Sequence, residues 1–465
     1  MKHKSATVMT ALAFVGLSVL GGFTSADASE WAKTYNGPGE GMDYANAVTI
    51  DGYGNVYSTG ASTSANGKTD YVTAKYTSTG VLKWLVRFDG DAHDQDNAYG
   101  VAVDRLGNVY VTGESVGTDL SFDLVTLKYN KNGVLQWSKR FAGTCDDRGR
   151  RIAVDHNGNI YVAGMSTGNN SGWDYVVMKY SPTGNQLWAK RFDGPGHDQE
   201  YLGDMKIDKE GNVYITGSSV SAEGDRDYCT IKYSSSGKRL WVKYFNGVQM
   251  PMRGYDYAQA LALDQSGNVY VTGSSYGRSL VRVGRMIRFI FSRDLVTIKY
   301  DNSGNVLWAK RYNGPANSDQ SAGGIVVDSA GNVYVSGTDG TNFEAVKYSA
   351  GGNRIWSYKS ETGICYSRWV IGIGLDSQGN IYLGGSGGIP GISDSYDFTV
   401  VKLDPGGVQV GVKTHGGSGL GTDYLHSMQV DSAGNVYLAG ETQEGGQSDD
   451  HDQFWDFATV KLTVN

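Results

Sequence analysis

The sequence predicts an all-β chain folded as one eight-bladed β-propeller, with four antiparallel strands in each blade. Three observations carry this. A strand-turn-strand text recurs eight times between residue 51 and the C-terminus. No stretch holds a helical period, while β-branched and aromatic residues alternate between turns of Gly, Asn and Asp. The last copy lacks its fourth strand, and a matching strand stands at the other end of the chain.

Each unit opens with a run ending in Asp, as in ANAVTID (45–51) and YGVAVD (99–104). After a D-x-x-G-N turn comes a second strand, with Tyr57, Tyr110, Tyr161, Tyr214, Tyr270, Tyr334, Tyr382 and Tyr437 in register. The third strand reads D-[YLF]-x-x-x-K-[YL], from Lys75 in the first copy to Lys461 in the last, with Asn342 replacing the leading Asp in the sixth. The fourth carries Trp84, Trp137, Trp188, Trp241, Trp308 and Trp356, and Val410 takes that place in the seventh. The eighth unit stops after DFATVKL (456–462), and Glu30 to Tyr35 supplies its fourth strand. That closure would remove the free edges an open array exposes. The units fall near 45–90, 98–143, 149–194, 202–247, 257–314, 322–360, 369–415 and 424–465 with 30–36. Their length, about 54 residues, is close to the 40–50 of known propeller repeats.

Residues present in every copy are scaffold, since no reaction needs a catalytic group eight times. The turn Gly takes a left-handed conformation and the turn Asp bonds the backbone that follows. The Lys stems and Trp rings are expected to stack on neighbouring strands.

Gly supplies 66 of the 465 residues and Pro only 7, a balance that favours tight turns over disorder. A net charge of -7 argues against a general nucleic-acid binder, which needs a basic stripe to displace counterions. Residues 1–28 read as an export signal: Lys2 and Lys4, an apolar run from Val8 to Leu20, and Ala26-Asp27-Ala28 before the cut. The mature domain, 29–465, is expected to be periplasmic, extracellular or at the cell surface. The apolar run is too short for a transmembrane segment and no later one is long enough, which leaves peripheral contact with the envelope. Of the three cysteines, Cys229 is expected in the core and Cys145 and Cys365 as free loop thiols. A monomer is expected.

The pattern D-x-x-GNVYVTG…D-Y-x-T-x-KY-x-x-x-G-x-x-LW-x-KRYNG resembles the bacterial beta-propeller repeat family SBBP across nearly the whole mature chain. The resemblance implies an exported or surface propeller and no particular activity. A weaker likeness is to propeller repeats of the pyrroloquinoline quinone type, which implies either quinone-dependent dehydrogenases or envelope scaffolds.

Two connections in each unit are short and uniform, and two vary. Antiparallel strands place the variable pair on one face, where a rigid scaffold usually carries its binding residues. Eight residues before each turn Asp stand Asp43, Asp96, Asp147, Glu200, Asp256, Gln320, Arg368 and Asp423. If the first strand lines the channel, six carboxylates circle its mouth and suit a hard cation such as Ca²⁺. The alternative is that each bonds the backbone of its own loop, while Arg368 could orient an anionic ligand. Two near-identical loops, DGDAHDQD (89–96) and DGPGHDQE (193–200), set His93 and His197 beside Asp residues, and Asp449 to Asp452 form another Asp/His cluster. Blade 5 alone carries GRSLVRVGRMIRFIFSR (277–293). There Arg278, Arg282, Arg285, Arg288 and Arg293 alternate with apolar residues including Phe289 and Phe291, as in a segment that docks on an anionic surface or a partner.

The chain has no G-x-S-x-G, HExxH or CxxC motif and no phosphate-binding Gly loop. No catalytic residue and no cofactor are therefore expected beyond the Ca²⁺ such a ring could hold. A non-enzymatic scaffold for a protein or polysaccharide is the expected class. The competing class is an enzyme on the same ring, either a glycan-active hydrolase or lyase or a quinone-type oxidoreductase.

Overall fold

The structure, a computed structural model, describes residues 30–39, 41–168, 171–247, 255–283, 286–314, 318–361, 370–388, 396–416, 421–443 and 455–464. Each blade grows from its first turn. Asp51 Oδ1 accepts the N–H groups of Tyr53 and Asn55 at 2.9 Å. Its Oδ2 accepts Asn55 Nδ2 at 2.7 Å and the Tyr57 hydroxyl at 2.9 Å. Gly54 completes the turn at φ 76°, where any side chain would be strained. Asp104, Asp155, Asp208, Asp264, Asp328, Asp376 and Asp431 make the same four bonds. The repeated Asp is a turn residue, as expected.

From these turns follow eight four-stranded antiparallel sheets. The first blade runs Asp43–Ile50, Val56–Thr63, Thr69–Tyr76, Leu82–Phe88 from the axis outward. Its first strand slips register between Ala45 and Ala47, a bulge that recurs in all the other first strands. The facing Gly60 permits it, since a Cβ there would sit 1.9 Å from the Tyr44 carbonyl oxygen. Hydrophobic clusters bridge adjacent blades; Trp31, Ala45, Val56, Val72, Tyr437 and Phe457, for example, join the eighth to the first.

The ring closes as the sequence predicted. Trp31–Tyr35 pairs antiparallel with Trp455–Thr463, from Trp31↔Lys461 to Tyr35↔Phe457. The Trp residues latch one blade to the next. Trp84 Nε1 donates to the Lys131 carbonyl at 3.0 Å, and its indole covers Gly133. Trp137, Trp188, Trp241, Trp308 and Trp356 repeat the bond to Pro182, Ser235, Asn302, Ala350 and Pro405, and Trp31 makes it to Ser78 at 3.1 Å.

The seventh blade differs, and one expectation needs correcting. Lys402 pairs with Gly411 where Lys75 pairs with Trp84, so Gly411 and not Val410 occupies the Trp place. Counting from the turn glycine, rather than matching apolar residues, yields this register. The loss has a topological cause. The eighth blade draws its fourth strand from the N-terminal side, so no turn between its third and fourth strands exists to receive an indole. A Lys413–Glu30 ion pair and a bond from Lys402 Nζ to the Val464 carbonyl (2.8 Å) hold that boundary instead.

Cys229 is buried and Cys145 exposed, both as free thiols. Cys365 and residues 1–28 lie outside the described residues. Among the described residues, no helix is long and apolar enough to cross a membrane.

Candidate functional site: the inner rim of the variable face

The acids expected to ring the channel mouth are not open to it. Asp43, Asp96, Asp147, Glu200, Asp256 and Asp423 are 0–3% exposed. Most bond the backbone of their own loop or of the second strand in the same blade. Asp96 accepts the Gly90 N–H at 2.6 Å, Asp147 that of Gly143, and Asp43 those of Gly37 and Thr63. Asp256 accepts Gly247 and Tyr276 N–H at 2.7 and 3.0 Å, Asp423 accepts Gln443 N–H at 3.0 Å, and Glu200 accepts the Ser219 hydroxyl at 3.0 Å. Burial pushes Asp96 up to about 6 and Glu200 up to about 8. Gln320 occupies the same buried place, and Arg368 lies outside the described residues.

The bulge explains the inversion. Counting back by twos from the core residue Val48 would leave Asp43 on the side away from the core. The extra residue between Ala45 and Ala47 flips that parity, so positions 43, 45 and 48 are the buried ones. The next residue in each strand therefore faces the rim: Tyr44, Asn97, Arg148, Tyr201, Tyr257 and Tyr424. Sequence reasoning missed this set by one residue, though its aromatic content was a visible signal.

These side chains touch one another round the axis. Tyr44 Oη donates to Asn97 Oδ1 at 2.8 Å, and the Asn97 amide and Tyr99 hydroxyl donate to Glu114 at 3.3 and 2.8 Å. Arg148 pairs with Glu114 at 3.0 Å and lies 4.9 Å over Trp173. Arg150 stacks 3.9 Å over Tyr99, and Arg226 stacks 4.6 Å over Tyr201. On the far side Tyr424 stacks with Trp455 at 5.3 Å and with Tyr396 at 6.4 Å. Burial raises the Tyr44 hydroxyl, and Glu114 and Glu441 add to the shift from either side. Tyr255 stacks on the rim residue Tyr257 at 6.4 Å, and Tyr201, Tyr255 and Tyr424 keep 39%, 41% and 37% of their surface exposed, so the rim offers part-exposed aromatic surface, with a guanidinium stacked on Tyr201 and an indole on Tyr424.

His93 and His197 stand in loops two blades apart, and each bonds its own aspartate, Asp89 at 2.7 Å and Asp193 at 2.6 Å. The hydrogen bond to Asp89 raises the His93 pKa. In blade 5 the second and third strands lengthen to Val269–Val283 and Met286–Tyr300, paired up to Val283↔Met286. Arg293 there pairs with Asp319 at 3.2 Å and Phe291 is 44% exposed. Arg285 and the side chains of Arg278, Arg282, Arg288 and Phe289 lie outside the described residues, as does the loop Asp449 to Asp452.

Fold and rim together define a repeat-built β-propeller scaffold with a polar and aromatic inner rim. The SBBP beta-propeller repeat matches residues 90–121, 136–170, 240–280 and 307–344, so the chain carries SBBP repeats. A WD repeat-containing protein, L264 of Acanthamoeba polyphaga mimivirus, described as uncharacterized, is 22% identical over 375 residues. That alignment covers 59% of this chain and only 26% of the viral protein. Sqt1 from Chaetomium thermophilum superposes with a TM-score of 0.55 at 12% identity, over 93% of this chain and 100% of that one. A puromycin hydrolase does so at 0.46 and 11%, over 88% and 61%. At such identities the likeness to Sqt1 is one of fold alone.

Proposed function

We propose that this propeller is an exported binding scaffold that takes a glycan, preferentially an anionic one, across the inner rim of its variable face. The observation that carries the reading is the set of part-exposed aromatic rings on the rim, Tyr201 and Tyr255 beside Arg226 and, across the axis, Tyr424 with Trp455, on a rim that also carries Arg148 and Arg150. Aromatic rings offer an apolar face of low conformational freedom with polar tips, which suits the C–H faces of sugar rings. Guanidinium groups match the planar carboxylate of a uronate in a bidentate way. Among the described residues no carboxylate forms an ion pair with Arg150, so it is the first candidate for that contact. The N-terminal run from Lys2 to Ala28 supports export, and the Arg-rich hairpin of blade 5 would add a second contact with a partner or the envelope.

The test is electrophoresis of the purified protein through gels containing polygalacturonate, alginate, xyloglucan or starch. Retardation by the uronate polymers is expected, and the double variant Tyr424→Ala, Trp455→Ala should migrate freely while melting as the parent does. Equal mobility in every gel removes the proposal. Release of new reducing ends during the same incubations would instead favour a glycan-active enzyme.

A further inference from the structure

The boundaries between blades 1 and 2 and between blades 3 and 4 share a feature that the other described boundaries lack. At the first, Asp70, Asp89 and Asp96 bring three carboxylate oxygens within 4.8 Å of one another; at the second, Asp174, Asp193 and Glu200 do the same. Two members of each trio are buried, and each has one oxygen already engaged. Arg87 takes Asp70 Oδ2 at 2.9 Å and the Gly90 N–H takes Asp96 Oδ2 at 2.6 Å. Arg191 and Ser171 take Asp174 Oδ2, and Ser219 takes Glu200 Oε1. The second oxygens, Asp70 Oδ1, Asp96 Oδ1, Asp174 Oδ1 and Glu200 Oε2, are buried with no hydrogen-bond partner. Their residues are 6%, 1%, 1% and 0% exposed.

We propose that each trio binds one hard divalent cation of the Ca²⁺ class. Two oxygens across an ion with ligands at about 2.3–2.6 Å are at most roughly 5 Å apart, and the three oxygens of each trio lie within 4.8 Å of one another. Three carboxylates and one guanidinium leave two negative charges per site, which a divalent cation cancels. It would also supply the partner that the buried oxygens lack, a lack that is otherwise costly. His93 and His197, at φ 52° and 49°, anchor the exposed third ligand by holding Asp89 and Asp193 through Nδ1. The intervening boundary is an internal control. It keeps buried Asp123 and Asp147, but Ala142 stands where Asp89 and Asp193 stand in the others.

This inference is independent of glycan binding, because it uses metal alone as the probe. The full chain, stripped by chelator, is titrated calorimetrically with CaCl₂, MgCl₂ and ZnCl₂. About two Ca²⁺ per chain should bind, with Asp89→Asn and Asp193→Asn each losing one and the double variant losing both. The Asp89 and Asp193 side chains are 40% and 34% exposed, so the metal-free variants should melt with the metal-free parent, which checks their folding. Three results would each overturn the proposal: no Ca²⁺ bound at millimolar concentration, unchanged stoichiometry in the double variant, or binding of Zn²⁺ without Ca²⁺.

Discussion

Replacing Trp31 by Ala isolates the joint on which the ring depends. Trp31 is 7% exposed, its Nε1 bonds the Ser78 carbonyl at 3.1 Å, and its ring lies 5.5 Å from that of Tyr76. Truncating a buried Trp costs about 3–5 kcal/mol, a figure that includes the lost hydrogen bond. Among the described residues, the strand Trp31–Tyr35 is held to its blade by five residue pairs and continues into the rest of the propeller only at its C-terminal end. It can therefore detach without unfolding any other blade, and the cost should fall on that local opening. At 1.4 kcal/mol per tenfold, the open population rises by a factor of about one hundred to several thousand. Amide hydrogen exchange reads this directly, as accelerated exchange in 31–35 and the facing 457–461. Trp137→Ala is the matched control. It removes an equivalent latch from a strand tied at both ends, so it should lower the melting temperature without selectively releasing residues 31–35. Unchanged protection of 31–35 in Trp31→Ala would refute the assignment of the latch.

Three further outcomes follow from the same contacts. Asp155→Ala removes four hydrogen bonds and leaves the buried Tyr161 without its acceptor, so a loss of about 2–4 kcal/mol is expected; a denaturation shift below about 0.5 kcal/mol would contradict it. Gly411→Trp restores the repeat's own residue, yet the eighth blade has no turn to receive it, so melting should not rise; a clear gain would mean that the indole finds another seat. Burial pushes Glu344 up to about 7, above its ordinary value, so its protonated form favours the folded state. That contribution is full below about pH 4.5 and is lost as pH rises through 7, with an upper bound of about 3 kcal/mol. Glu344→Gln should accordingly flatten the fall in melting temperature between pH 5 and pH 8, and an unaltered slope would show that this carboxyl does not set it.

The fold was legible because eight copies of one text separate what the blade needs from what varies. Each repeated residue has a local task that spacing alone reveals: Asp264 closes its turn, and Trp308 latches to the next one. The rim was not legible, although its residues were in plain view. Strand parity decides which side chains meet the channel, and a bulge in each first strand shifts parity by one residue. Its mark in the sequence is a glycine inside each second strand, such as Gly60 or Gly113, which admits a carbonyl oxygen where other residues carry a Cβ, but a repeated glycine alone does not say at which residue of the facing strand the parity changes. The loops 89–96 and 193–200 were recognisable as a pair, but their partners Asp70 and Asp174 were not, since those enter across the blade from the start of its third strand. Where the text repeats, sequence is enough; where two differing segments meet in space, their meeting has to be seen. Both the rim and the carboxylate trios are of the second kind, which is why the chain's chemistry is expected where its repeats stop agreeing.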